Sequence, residues 1–120
     1  MAHADSMGAL ESGELDHLYP SPLETIQLNL TPLGAPRQHN VRIPSDELFR
    51  VRDVFDNASY EIPYLGPDVG GLTVVDVGAN VGLFALYMAT RYPGSIVHCF
   101  EPAPASITLL RRNLDGVSGI

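Results

Sequence analysis

The hydrophobic pattern of this chain changes its period along the sequence, and each period predicts a different element. Ile26, Leu28 and Leu30 alternate with Gln27 and Asn29, the two-residue period of a half-buried strand. Just upstream, Ser21-Pro22-Leu23-Glu24 has the form of a helix capping box with Pro at the first helical position. No 3.6-residue apolar period follows it, so the alternation decides for a strand. Gly34-Ala35-Pro36 reads as a turn and His39 to Ile43 as a second short strand stopped by Pro44, which together predict a β-hairpin. Ser45 can cap a helix over 46–57, where Leu48, Val51 and Phe55 fall at i, i+3 and i+7 and Asp46 and Glu47 suit the first turn. A competing strand would turn Phe49, Val51 and Phe55 inward, and Asp53 breaks it.

Pro63, Gly66, Pro67, Gly70 and Gly71 form the clearest linker. Beyond it, Leu72 to Val77 is a short β-branched run without polar alternation, the pattern of a parallel strand covered on both faces. A helix over about 82–91 places Leu83, Leu86 and Tyr87 on one face and ends at Pro93-Gly94. Ser95 to Phe100 is a second apolar strand ending at Glu101, in which His98 and Cys99 read as core residues. Pro102 and Pro104 precede a further helix, with Ile107, Leu110 and Leu114 at helical spacing and Gly116 beyond its end. Arg111 and Arg112 fall in its last turn, where cations suit the helix dipole. Strand, helix, strand, helix with short joints is a βαβ unit, whose handedness makes the two strands parallel neighbours. The organisation expected is a mobile leader over 1–20, a strand-and-helix extension with its linker over 21–70, and an α/β unit over 71–120.

Length and composition narrow the class without changing that picture. A chain of 120 residues allows one domain. The formal charge is −7, and all seven basic residues are Arg. An acidic surface repels phosphate backbones, which argues against nucleic acid as a partner. The single Cys99 excludes an internal disulfide and suits a reducing compartment. Met1 to Leu10 has neither a basic nor an apolar secretory region, and no stretch approaches the roughly 18 apolar residues of a membrane span. The expectation is a cytoplasmic protein without membrane contact.

The chemistry lies where the special residues gather. Ligands on parallel sheets bind outside the carboxyl ends of the strands, and Asp76, the loop Gly78-Ala79-Asn80-Val81-Gly82 and Glu101 all stand at those ends. Gly78 and Gly82 allow a sharp turn and a ligand lying against the backbone. The helix that follows aims free N–H groups and its positive end at the same place. Glu101, as an acceptor-only carboxylate at the tip of the neighbouring strand, can take hydrogen bonds from both hydroxyls of a ribose. Together these describe a nucleoside site. Each residue also has a plainer reading: turn glycines for Gly78 and Gly82, a loop brace for Asp76, a backbone partner for Asn80, a solvated strand-end acid for Glu101. Tyr60 and Glu61, just upstream, could reach the ligand from the preceding segment, but core packing and surface charge are the readings preferred for them.

The sign of the local charge separates two nucleosides. A dinucleotide site shows G-x-G-x-x-G, because a pyrophosphate needs close backbone approach along the whole turn. Here Asn80 stands where the second Gly would be, and Asp76 precedes the first by two positions. An acid beside a pyrophosphate is repulsive, whereas beside the sulfonium and ammonium of S-adenosylmethionine (SAM) it is favourable. SAM is therefore the expected cofactor, with an NAD-binding module as the alternative.

Val75 to Phe84, with Phe100-Glu101-Pro102-Ala103-Pro104 and Leu110-Arg111-Arg112-Asn113-Leu114, resembles the FkbM family of methyltransferases over roughly residues 50–115. Val54-Phe55 and Tyr60-Glu61 extend the likeness more weakly upstream. The resemblance implies a class I SAM-dependent fold, a Rossmann-like doubly wound parallel sheet, and O-methylation of a hydroxyl on a sugar, polyketide or related secondary metabolite. It implies that Asp76, Gly78, Asn80 and Gly82, with Ala79 in the same cofactor-binding loop, line the methionine part of SAM and that Glu101 holds its ribose.

Methyl transfer also needs an acceptor oxygen held in line with the sulfonium methyl and a group to take its proton. In class I enzymes such groups come mostly from the fourth strand onward. The chain ends just past the second strand-helix unit, so no catalytic residue and no metal ligand is assigned. The expectation is a fragment carrying the cofactor half, whose exposed sheet edge invites self-association. A non-catalytic remnant that keeps the loop stays open beside it.

Overall fold

The computed structural model of the chain describes residues 16–30, 37–57, 59–66, 69 and 71–120. The predicted hairpin is present. Strands β1 (Leu23–Leu30) and β2 (Arg37–Pro44) pair antiparallel, with Ile26 opposite Val41 and Leu30 opposite Arg37. Alternation sets the buried face: Leu28 and Leu30 on β1, with Val41 and Ile43 on β2, point into the core. The turn assigned to Gly34-Ala35-Pro36, the first fifteen residues of the leader, and Pro67 and Gly70 of the linker lie outside the described residues. Residues 16–20 differ from a mobile leader. Asp16–Leu18 forms a 3₁₀ turn, Asp16 pairs with Arg42 at 3.2 Å, and the Tyr19 hydroxyl donates to the Ala105 carbonyl. Burial, with Glu47 nearby, pushes that phenol up to about 12.

The helix expected over 46–57 is shorter and begins differently. Ser45–Glu47 is a 3₁₀ turn and α1 covers Phe49–Phe55, with no side-chain cap at either start. Of the predicted stripe Leu48 is exposed, while Val51 and Phe55 are half-buried against the core beside Val54, the residue that α1 buries. Leu48 falls between the 3₁₀ turn, which eclipses residues three apart, and α1, and so drops off the stripe that Val51 and Phe55 keep.

The second unit is the expected βαβ arrangement. Strands β3 (Thr73–Val77) and β4 (Ile96–Phe100) pair in parallel, Asp76 standing beside Cys99 and Val77 beside Phe100. Helix α2 (Leu83–Arg91) connects them and α3 (Pro104–Asn113) follows. The buried face of α3 carries Leu109 and Asn113, with Leu114 just beyond, while Ile107 and Leu110 are half-buried at its flank. Hairpin, α1, α2, β4 and α3 share one hydrophobic core, in which Ile43, Leu86, Tyr92 and Leu109 are fully enclosed.

One expectation is corrected. The parallel strands are not covered on both faces within the described residues. Val74, Asp76, Val97 and Cys99 lie on the more buried face, while Val77 is 81% and Phe100 58% exposed on the other, with Val75, Ile96 and His98. His98 is thus not a core residue, and Cys99 is half-buried. An apolar run cannot tell two covered faces from one, because Val and Ile suit a strand either way. The edge of β4 is partly occupied: the Val97 N–H donates to the Gly119 carbonyl at 2.7 Å. Among the described residues no helix is long and apolar enough to cross a membrane.

Candidate functional site

The carboxyl ends of β3 and β4 bring together the residues that the sequence singled out. Gly78 follows β3 directly, and its N–H and that of Ala79 both donate to the Phe100 carbonyl, at 2.8 and 3.1 Å. The glycine loop is therefore stitched to the tip of β4, one residue before Glu101. Gly78 sits at φ +80°, and a Cβ there would meet open space, so the requirement is conformational and the surface beside it is free. Gly82, at φ +92° and at the start of α2, serves packing as well. A Cβ there would stand 3.0 Å from Leu114 Cδ1.

Asn80 is the one described non-glycine residue in the left-handed region, at φ +50°. Its backbone N–H donates to Glu101 Oε2 at 2.8 Å, and its side-chain amide donates to Glu47 Oε2 at 2.7 Å. The other oxygen of Glu101 accepts the Ala103 N–H at 2.9 Å. These two backbone bonds fix the carboxylate at the strand tip, and each oxygen keeps a further lone pair for a ligand hydroxyl.

Asp76 is treated differently. It is 8% exposed, and its Oδ2 has no hydrogen-bond partner. Loss of solvent raises its pKa above the ordinary carboxylate value, and the negative charge of Glu101 raises it further. The same carboxylate, after burial itself, helps push the neighbouring Cys99 thiol up to about 11. A buried acid with an unused oxygen beside a second acid is a place where a cation is favoured and a phosphate is not.

Three residues make contacts here that their sequence readings do not anticipate. Glu47 was read only as a favourable first-turn acid, yet its Oε2 holds both Asn80 and the guanidinium of Arg50, the latter at 3.0 Å. Asn113 is 2% exposed and ties the loop to the hairpin: its amide donates to the carbonyls of Val81 and Arg42, both at 2.9 Å, while its Oδ1 accepts the Arg42 N–H at 2.7 Å. A polar residue four positions after Leu109, on the same helix face, was the available signal for it. Tyr60, placed in the core from sequence, is instead 45% exposed with its ring tilted over Phe84 at 4.8 Å. Glu61 pairs with Arg91 at 3.3 Å, as its surface-charge reading expected. Among the described residues no group of three or more His, Cys, Asp or Glu side chains could hold a metal ion.

Known proteins are similar to this chain in sequence. The chain is 40% identical over 75 residues to methyltransferase sdnD of Sordaria araneosa, covering 60% of this chain and 28% of that one. Methyltransferase 1 of Beauveria bassiana is 37% identical over 71 residues, 58% of this chain and 27% of the relative. The 31-O-demethyl-FK506 methyltransferase FkbM of Streptomyces tacrolimicus is 51% identical over 43 residues, 36% of this chain and 16% of the relative. The chain thus spans about a quarter of the length of the first two relatives. No family model matches, and no solved structure matches. The likeness to FkbM-type methyltransferases read from the loop and the strand-end motifs is borne out by these relatives.

Proposed function

We propose that this chain carries the cofactor-binding part of a SAM-dependent methyltransferase of FkbM type, acting on a hydroxyl of a sugar or related secondary metabolite in the cytoplasm. The observation that carries this reading is Asp76 Oδ2, buried and unpartnered at the mouth of a glycine loop. An orphaned buried carboxylate is costly unless a positive group completes it. The open space beside Gly78 and the two fixed oxygens of Glu101 supply the rest of a nucleoside cradle. When bound, SAM supplies a methyl group made electrophilic by its positively charged sulfur.

The chain's own residues then have distinct tasks. Asp76 provides negative charge for the cationic part of the cofactor. Glu101 accepts the ribose hydroxyls, held in place by Asn80 and Ala103. Gly78, Ala79 and Asn80 present backbone along the bound molecule, and Gly82 lets α2 begin close beneath it. The name of the Streptomyces relative specifies a 31-O-demethyl compound, which supports oxygen as the methyl acceptor.

The test is methyl transfer itself. The chain is incubated with methyl-labelled SAM and acceptors bearing free hydroxyls. Label appearing on an acceptor oxygen supports the enzyme reading. Tight binding of S-adenosylhomocysteine with no transfer to any acceptor would instead favour a cofactor-binding chain without chemistry.

A further inference from the structure

Two neighbouring residues of the glycine loop are held by partners far away in the chain. The Asn80 side-chain amide donates to Glu47 Oε2 at 2.7 Å, and the Val81 carbonyl accepts the Asn113 amide at 2.9 Å. Both partners are tied to the hairpin. Glu47 stands in the 3₁₀ turn that leaves β2, where the Ser45 N–H donates to the Pro22 carbonyl at 2.8 Å and the Ser21 hydroxyl donates to Asp46 Oδ1 at 2.5 Å. Asn113 exchanges hydrogen bonds with the backbone of Arg42 on β2. From the other side the loop hangs on β4: the N–H groups of Gly78 and Ala79 reach the Phe100 carbonyl, and that of Asn80 reaches Glu101 Oε2.

We propose that the N-terminal hairpin and the turn after it brace the glycine loop, with Glu47 as the positioning residue that holds Asn80 in its left-handed conformation and, through the Asn80 N–H, keeps Glu101 in place. The conformational part stands on these contacts; its consequence for a cofactor rests on the SAM reading, which leaves the extension without a task. Asn80 is at φ +50°, where any residue with a Cβ carries a steric cost that Gly does not. Asn tolerates that region when its short polar side chain finds a hydrogen bond, and here the bond reaches back 33 positions to Glu47. A third acid near Asp76 and Glu101 would by itself add repulsion. The Arg50 guanidinium, whose Nε lies 3.0 Å from the same Oε2, offsets that charge. What Glu47 delivers to the loop is therefore a fixed acceptor, with its field largely cancelled. Were the bond to Glu47 lost, Asn80 would be free to leave the left-handed region and take its N–H away from Glu101, which would then keep only the Ala103 N–H.

The test follows two readouts in the whole chain, amide hydrogen exchange without ligand and calorimetric affinity for S-adenosylhomocysteine. Glu47→Ala is expected to speed exchange at the Asn80 N–H by roughly tenfold, the worth of a hydrogen bond to a charged group, and to leave the Ile96 N–H, bonded to the Leu72 carbonyl within the sheet, within about twofold. Affinity should fall by a similar factor. Glu47→Gln keeps an acceptor for both Asn80 and Arg50 and should restore most of both readouts. Asn80→Gly reaches the left-handed region without a side-chain bond, so adding Glu47→Ala to it should change neither readout by more than about twofold. The brace is refuted if Glu47→Ala leaves Asn80 exchange unchanged, or if it speeds Asn80 and Ile96 in parallel, which is general loss of stability. It is equally refuted if Glu47→Gln behaves like Glu47→Ala, or if Glu47→Ala costs as much beside Asn80→Gly as alone, since the charge would then act directly. A wild-type chain that does not bind S-adenosylhomocysteine would overturn the SAM reading, and the exchange comparison alone would then decide the brace.

Discussion

The two acids at the strand ends stand beside each other and are built in opposite ways. Glu101, just past the end of β4, has both carboxylate oxygens engaged by backbone N–H groups, which hold it in place. Asp76, at the end of β3, is more deeply buried, has an oxygen with no partner, and has its pKa raised by that burial and by Glu101. The first acid organises the loop whether or not a ligand is present. The second leaves an unpartnered buried oxygen that a proton or a ligand cation would neutralise. In the proposed site a preformed hydrogen-bonding end would stand beside a destabilised charged end, and the stability given up at Asp76 would be available to binding.

Substitutions at the two acids should separate these roles. The largest effect is expected from Glu101→Ala, which frees the Asn80 and Ala103 N–H groups and removes the ribose acceptor. It should lower stability by about 1–3 kcal/mol, abolish hydrogen-exchange protection at those two amides, and weaken S-adenosylhomocysteine binding more than tenfold. Unchanged affinity would remove Glu101 from the site. Asp76→Asn should act in opposite directions on fold and ligand. Its affinity for SAM should fall roughly tenfold, with a smaller loss for the uncharged thioether of S-adenosylhomocysteine, while the ligand-free chain melts at a higher temperature near neutral pH. The pH dependence has a definite sign. A carboxyl whose pKa is raised on folding binds its proton more readily in the native state. Stability therefore falls as pH rises from the ordinary carboxylate value through the raised one, and is flat below both. Denaturant titrations across that range should show this slope in the wild type and lose it in Asp76→Asn. The smallest effect is at Cys99, whose thiol should alkylate with a midpoint near 11. Removing the Asp76 charge should move that midpoint down.

Much of this site was legible in the sequence because local rules decide it. The run from Val74 to Gly82 contains a strand, a turn that requires positive φ and a helix start, and Glu101 falls at the tip of the next strand by simple counting. The structure brings Asp76, Gly78, Ala79, Asn80, Gly82 and Glu101 together around the loop that leads from β3 to α2 and is hydrogen-bonded to the tip of β4. Residues whose roles depend on distant partners were less legible. Glu47 meets Asn80 across 33 positions and Asn113 meets Arg42 across 71, and no periodicity encodes either contact. Leu48 drops off the inward stripe of α1 because a 3₁₀ turn precedes the helix, and the open face of β3 and β4 is not legible because an apolar run does not state what covers it.

The central claim is that Asp76 and its loop are made for a sulfonium nucleoside and not for a dinucleotide. Calorimetry of the wild-type chain with S-adenosylhomocysteine and, separately, with NAD tests it most directly. Saturable binding of S-adenosylhomocysteine and none of NAD is expected; binding of NAD with no response to S-adenosylhomocysteine would contradict a sulfonium-nucleoside site.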